Sequence, residues 1–186
     1  MFDKIIILII ILIFISTYFA IRYNLKESFK INELPIIIYI NLKKDIERNK
    51  SMIQLFKNIR YPSNKIIRFE GIFNSNGKEG CRQSHIAANK IGIENVGNSP
   101  YYIICEDDIK LVGDLYKIIN KAYKLNNVDM FLLECGDKLE CKAKLEYTNN
   151  KNFMRILGGG NNAGCYMIKP EYAKKNIKVW EENPNL

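Results

Sequence analysis

Apolar residues fall along this chain in two kinds of run. The first is a single block, Ile5 to Ile21 (IIILIIILIFISTYFAI), without a charge and bounded by Lys4 and Arg22. A membrane-spanning helix needs roughly 17 to 25 apolar residues, a signal-peptide core only about 7 to 15. A cleavable signal should close on small residues, but Thr17-Tyr18-Phe19-Ala20 places bulky Tyr18 there. The block is therefore read as a single-pass transmembrane anchor over residues 5–21, with a short tail (1–4) before it and a linker (22–34) after it. A cleaved signal and a buried core helix are the alternatives. Arg22, Lys26 and Lys30 follow the block and Lys4 precedes it, which leans toward a cytoplasmic domain without deciding the side.

Beyond residue 34, runs of strand length alternate with segments of helical period. Pro35 to Ile40 (PIIIYI) is the β-branched kind of run that is buried on both faces of a parallel sheet. A helix follows from about Lys44 to Lys57, with Ile46, Ile53 and Phe56 predicted on its buried face, and Tyr61-Pro62-Ser63-Asn64 ends it. Ile66 to Phe69 is a second strand and Gly80 to Ile93 a second helix. Tyr101 to Cys105 is the third strand and the best candidate for the sheet centre, since only its two phenols are polar. A helix over Asp114 to Leu125 offers Leu115, Ile118, Ile119 and Ala122 on one face. Asp129 to Leu133, Phe153 to Leu157 and Ala163 to Ile168 are further strands, and Pro170 opens a last helix where proline is tolerated. Strand-helix repeats followed by a strand pair predict an α/β sandwich over residues 35–186.

Composition narrows the class. With 186 residues, 47% hydrophobic and 26% charged, the chain is neither a disordered tail, nor collagen-like, nor a multi-pass membrane protein. Up to residue 33, Lys4, Arg22, Lys26 and Lys30 nearly balance Asp3, Glu27 and Glu33, so almost all of the formal +8 belongs to the rest. That charge attracts anions, but no Lys/Arg block exceeds two residues, which favours a solvated surface and no nucleic-acid partner. The five cysteines (81, 105, 135, 141, 165) contain no C-x-x-C pair, which excludes a zinc ribbon. Cys105 and Cys165 lie in apolar runs and are read as small hydrophobes; a Cys135–Cys141 bridge remains open in an oxidising compartment.

The chemistry concentrates where the third strand ends, at Glu106-Asp107-Asp108. Ligands of open α/β sheets gather at the carboxyl ends of strands, and three adjacent carboxylates there call for a cation or a hydrogen-bond network. Oxygen donors of this kind suit Mg²⁺ or Mn²⁺; helix capping or plain solvation is the bland alternative. His85, the only histidine, shares a helical face with Cys81, Ser84 and Ala88 and is predicted to point toward the sheet.

Residues 36–52, 79–90, 101–111 and 158–174 together resemble glycosyltransferase family 25, the lipooligosaccharide and procollagen galactosyltransferase type. Ile40-Asn41-Leu42 with Asp45 and Arg48 is similar to its opening strand and nucleotide-binding segment. Glu79-Gly80-Cys81 with Ser84-His85 is similar to its G-C-x-x-S-H helix, Tyr102 to Ile109 to its strand ending in an acidic trio, and Gly158 to Ile168 (GGGNNAGCYMI) to its glycine-rich loop and strand. The resemblance implies an α/β, GT-A-like (Rossmann-like) nucleotide-sugar transferase domain with a mixed central sheet. It implies a UDP-sugar donor, UDP-galactose first, a glycan or glycoprotein acceptor, Mn²⁺ or Mg²⁺, and inverting transfer. Glu106 and Asp108 would be the metal residues. Asn41, Leu42, Arg48, Ser84, His85, Glu106 and Asp107 would belong to the donor site, although Asp107, facing the other side of the chain, also reads as structural. Asn161 and Asn162 offer hydrogen bonds to a sugar. Inversion needs a carboxylate base, and Glu134 and Asp137, past the fourth strand, are the candidates.

Family members carry further sequence beyond the point matching Leu186, with an acidic residue on the acceptor side, so reduced acceptor binding is expected. The rival readings are a catalytically degenerate nucleotide-sugar or glycan-binding membrane protein, and a metal-dependent phosphoesterase using Glu106, Asp108 and Asp129.

Overall fold

The computed structural model describes residues 15–17, 33–125, 127–133, 144–147, 154–158 and 164–183. The chain divides into two compact units, Met1–Glu33 and Leu34–Leu186. Among the described residues no helix is long and apolar enough to cross a membrane; the expected anchor, 5–21, lies outside them apart from 15–17.

The second unit is built from β1 (Ile37–Asn41), α1 (Ile46–Asn58), β2 (Ile66–Glu70), α2 (Gly77–Asn95), β3 (Tyr102–Glu106), α3 (Leu115–Tyr123), β4 (Met130–Leu132), β5 (Lys144–Tyr147), β6 (Met154–Gly158), β7 (Cys165–Ile168) and α4 (Pro170–Glu182). Five strands form one sheet in the order β2-β1-β3-β7-β4, while β5 and β6 pair antiparallel on their own. β1 is parallel to both β2 and β3, and β7 is antiparallel to both β3 and β4. β4 therefore runs the same way as β3, and β3 holds the central place expected of it. Two helix starts carry side-chain caps, the Asn76 side chain accepting from the Lys78 N–H and that of Asp114 from the Lys117 N–H, so α2 begins at Gly77, ahead of the expected Gly80; Pro170 is the first residue of α4, as expected.

Strand alternation divides the core between two layers of helices. Ile36, Ile38, Ile40, Tyr102, Ile104, Tyr166 and Ile168 pack in one cluster with Ala88 of α2 and Ala173 of α4. The intervening residues serve the opposite face, where Tyr39 meets Phe56 of α1 and Tyr101 stacks on Tyr123 of α3. Each fully buried isoleucine contributes roughly 1.5–3 kcal/mol, so the two-sided burial of β1 and β3 makes them the rigid floor on which the acidic residues stand.

The predicted face of α3 is observed, with Ile119 and Ala122 buried. That of α1 is not. Ile46 and Ile53 are 60% and 55% exposed, and the buried residues are Met52 and Phe56. The helix is turned so that Asn49 accepts from the Tyr39 hydroxyl at 2.8 Å and Arg48 reaches Asp107. Polar partners on the sheet outweigh two solvent-facing isoleucines.

Candidate functional site

β1 and β3 are parallel neighbours, with Ile40 beside Glu106, so their carboxyl ends open at the same edge of the sheet. Alternation sends the three acids in different directions. Glu106 turns to the α2 side, Asp107 is buried on the α1 side, and Asp108 is 56% exposed.

On the α1 side, Asn41 is almost fully buried and acts as a hub. Its amide donates to Asp107 Oδ2 at 2.6 Å and to the Asp45 carbonyl at 3.0 Å, and its Oδ1 accepts two bonds from the Arg68 guanidinium, at 2.8 and 3.0 Å. Arg48 donates to Asp107 Oδ1 at 3.1 Å and stands 3.7 Å from Asp108 Oδ2. The bond to Asp107 raises the Arg48 pKa further, so it is a permanent cation at the rim of the site.

On the α2 side, Glu106 Oε1 lies 3.2 Å from His85 Nε2 and 3.6 Å from Cys81 Sγ. The hydrogen bond from His85 holds the Glu106 carboxyl below its ordinary range, and burial together with that carboxylate pushes the Cys81 thiol up to about 11. Cys81 is thus a neutral thiol and no ready nucleophile. His85 Nδ1 is 3.1 Å from the Tyr166 hydroxyl, which also accepts from Asn89 Nδ2 at 2.8 Å. Because folding depresses the Glu106 pKa, its contribution is present above about pH 4.5 and is lost as pH falls through the folded value. Glu106→Gln should therefore flatten the acid limb of the stability curve. Urea midpoints that differ from wild type by a constant amount across that range would refute this.

Leu42, Arg48, Ser84, His85, Glu106 and Asp107, all expected at the site, line one cavity of about 310 Å³ together with Lys44, Phe73 and Asn74. Ser84 spends its hydroxyl internally, accepting from the Ile72 N–H and donating to the Gly80 carbonyl, and so fixes the loop that carries Phe73. Asn41 stands behind the lining residues, supporting Asp107. Arg68, Phe73, Asn89 and Tyr166 were not anticipated. Only Phe73 leaves a trace in the sequence, an aromatic in a polar loop; it is 72% exposed with the Lys44 ammonium 5.3 Å from its ring centre. Glu134 and Asp137, with Cys135, Cys141, Asn161 and Asn162, lie outside the described residues. Asp129 precedes β4, which runs parallel to β3, and it pairs with Lys169 at the opposite end of the sheet from Glu106. The Glu106–Asp108–Asp129 cluster of the phosphoesterase reading does not form.

Two donor sets bear on a divalent cation. Glu106 and Asp108 offer only carboxylate oxygens open to water, which fits Mg²⁺ or Mn²⁺, ions that keep several waters. Cys81, His85 and Glu106 place one ligand atom each within 4.8 Å of the others, a softer set.

The family model described as glycosyltransferase family 25 (LPS biosynthesis protein) matches residues 69–184. No curated protein matches the chain.

Proposed function

The chain belongs to glycosyltransferase family 25, and from that premise we propose that it transfers a sugar from a nucleoside-diphosphate donor bound in the cavity beside β3. The reading is carried by one observation: Arg48, a permanent cation 3.7 Å from the exposed Asp108, lines one cavity with Glu106 at the carboxyl end of the central strand pair, although Asp108 itself is not part of that lining. A donor of this class leaves as a diphosphate, whose charge must be met as the glycosidic bond breaks. Arg48, 55% exposed, presents the planar fork that matches phosphate oxygens. Glu106 and Asp108 would hold Mn²⁺ or Mg²⁺, which when bound neutralises the leaving diphosphate. Asp107, itself buried, keeps Arg48 in place through a half-buried bond and stays out of the reaction.

UDP-galactose is the first donor to try, with a glycan or glycoprotein as acceptor. Glu134 and Asp137 are the candidate bases for an inverting transfer, and residues 5–21 the candidate membrane anchor. The test is thermal unfolding with a panel of nucleotide sugars, with and without Mn²⁺. A ligand at a hundred times its Kd stabilises by about 2.7 kcal/mol, a rise of roughly 5–10 °C for a domain of this size. In Asp108→Ala the Mn²⁺-dependent part of that rise should vanish, while the free protein changes by less than about 0.5 kcal/mol because the side chain is exposed. An undiminished Mn²⁺-dependent shift in that variant would remove Asp108 from the site. Transfer or hydrolysis of the donor, measured as released nucleoside diphosphate, separates an enzyme from a binding protein.

A further inference from the structure

The hydrogen bonds behind His85 leave one assignment of protons in which every buried donor among them has an acceptor. The chain begins at the His85 main-chain carbonyl, which can only accept. The Asn89 side-chain atom 2.8 Å from it must therefore be the amide nitrogen. That nitrogen also donates to the Tyr166 hydroxyl oxygen, while Asn89 Oδ1 accepts from the Tyr102 hydroxyl at 2.8 Å. Tyr166 is fully buried, and burial pushes its pKa up, so it keeps its proton. With its oxygen receiving from Asn89, the O–H is directed at His85 Nδ1, 3.1 Å away. A ring nitrogen that accepts carries no proton, so the ring proton is placed on Nε2, which faces Glu106 Oε1 at 3.2 Å.

We propose that Tyr166 and Asn89 are positioning residues that lock His85 in the Nε2–H tautomer, making it a fixed donor that aims the Glu106 carboxylate at the cavity and closing the Cys81–His85–Glu106 trio to a metal ion. A cation in that trio would need the Nε2 lone pair, and freeing it would leave either the Tyr166 hydroxyl or Nδ1 without its partner inside the core. A divalent ion is thereby directed to the carboxylate oxygens of Glu106 and Asp108. The value of aiming Glu106 rests on the donor-site reading above; the tautomer does not.

His85 is the only histidine in the chain, so its ring nitrogens are read without ambiguity in long-range ¹H–¹⁵N spectra of the labelled protein. Expected at neutral pH are a protonated, pyrrole-type Nε2 and an unprotonated, pyridine-type Nδ1, unchanged by an equivalent of Zn²⁺. A proton on Nδ1, in the neutral ring or the imidazolium, or a Zn²⁺-induced loss of the Nε2 proton, overturns the proposal. Asn89→Asp reverses the chain, because a carboxylate cannot donate to Tyr166, and should move a proton onto Nδ1. Tyr166→Phe should shift the Nδ1 resonance toward that of an unbonded nitrogen while the fold is retained. For Glu106 itself, His85→Gln, whose amide nitrogen can stand near Nε2, should keep more of the donor-induced thermal shift than His85→Asn, whose amide reaches only Nδ1. The reverse order would count against a positioning role. If wild type binds no nucleotide sugar, the spectra still decide the tautomer, and only the enzymatic reading fails.

Discussion

Gly92→Ala is expected to destabilise the domain by about 3 kcal/mol, lowering its thermal midpoint by roughly 6–12 °C. A Cβ at this position of α2 would lie 2.3, 2.5 and 2.7 Å from three ring carbons of Tyr102, well inside van der Waals contact. The ring has nowhere to go. Tyr102 is fully buried on the central strand, and its hydroxyl is tied to the Asn89 side chain and to the Asn89 main-chain carbonyl, one turn earlier on the same helix. Relief requires α2 to lift from the sheet, which stretches the Asn89–Tyr166–His85 chain and moves Glu106 with it. Donor binding should therefore fall along with stability. Gly77→Ala is the control, since nothing lies within 4 Å of a Cβ there. At the first position of α2 it should be neutral or stabilising by up to about 1 kcal/mol. Urea unfolding followed by Trp180 fluorescence and far-UV circular dichroism measures both; equal effects from the two substitutions would contradict the close approach of α2 to β3.

Asn41→Ala should cost about 3 kcal/mol and abolish donor-induced stabilisation, a larger loss than either Ser84→Ala or Asp108→Ala. Asn41 is 1% exposed and joins three segments: β2 through Arg68, the acidic turn through Asp107, and its own following turn through the Asp45 carbonyl. Two of these partners are charged, and hydrogen bonds to charged groups are worth about 1.5–3 kcal/mol each. Removing the amide leaves the exposed Arg68 guanidinium to water and Asp107 held by Arg48 alone, and Arg48 is half exposed. The Arg48 fork then loses the buried anchor that orients it. Stability near wild type, or retained donor affinity in a variant destabilised by this amount, would show that Asp107 and Arg48 are set by something other than Asn41.

The sequence by itself determined the parts that depend on neighbours in the chain. Runs of Ile and Tyr at strand length marked β1 as buried on both faces and β3 as the sheet centre, Pro170 marked the start of the last helix, and the placement of Glu106, Asp107 and Asp108 at the end of an apolar strand pointed to the candidate site. Period-two alternation even separated Asp107 from its neighbours. These signals are local, because backbone geometry repeats over two to four residues.

The choice of partners across the chain was set by packing in three dimensions. The bonds from Tyr166 to His85 and to Asn89 span 81 and 77 residues, and that from Asn41 to Asp107 spans 66. No periodicity reports such distances. The rotation of α1, misread from its isoleucines, has the same origin. An apolar stripe shows where a helix can be buried, but a buried Asp, Asn or Tyr must also find a hydrogen-bond partner, and here that requirement set Asn49 against Tyr39 and the rim residue Arg48 against Asp107. Strand order followed likewise from packing, which set β7 antiparallel beside β3 and so brought Tyr166 beneath His85.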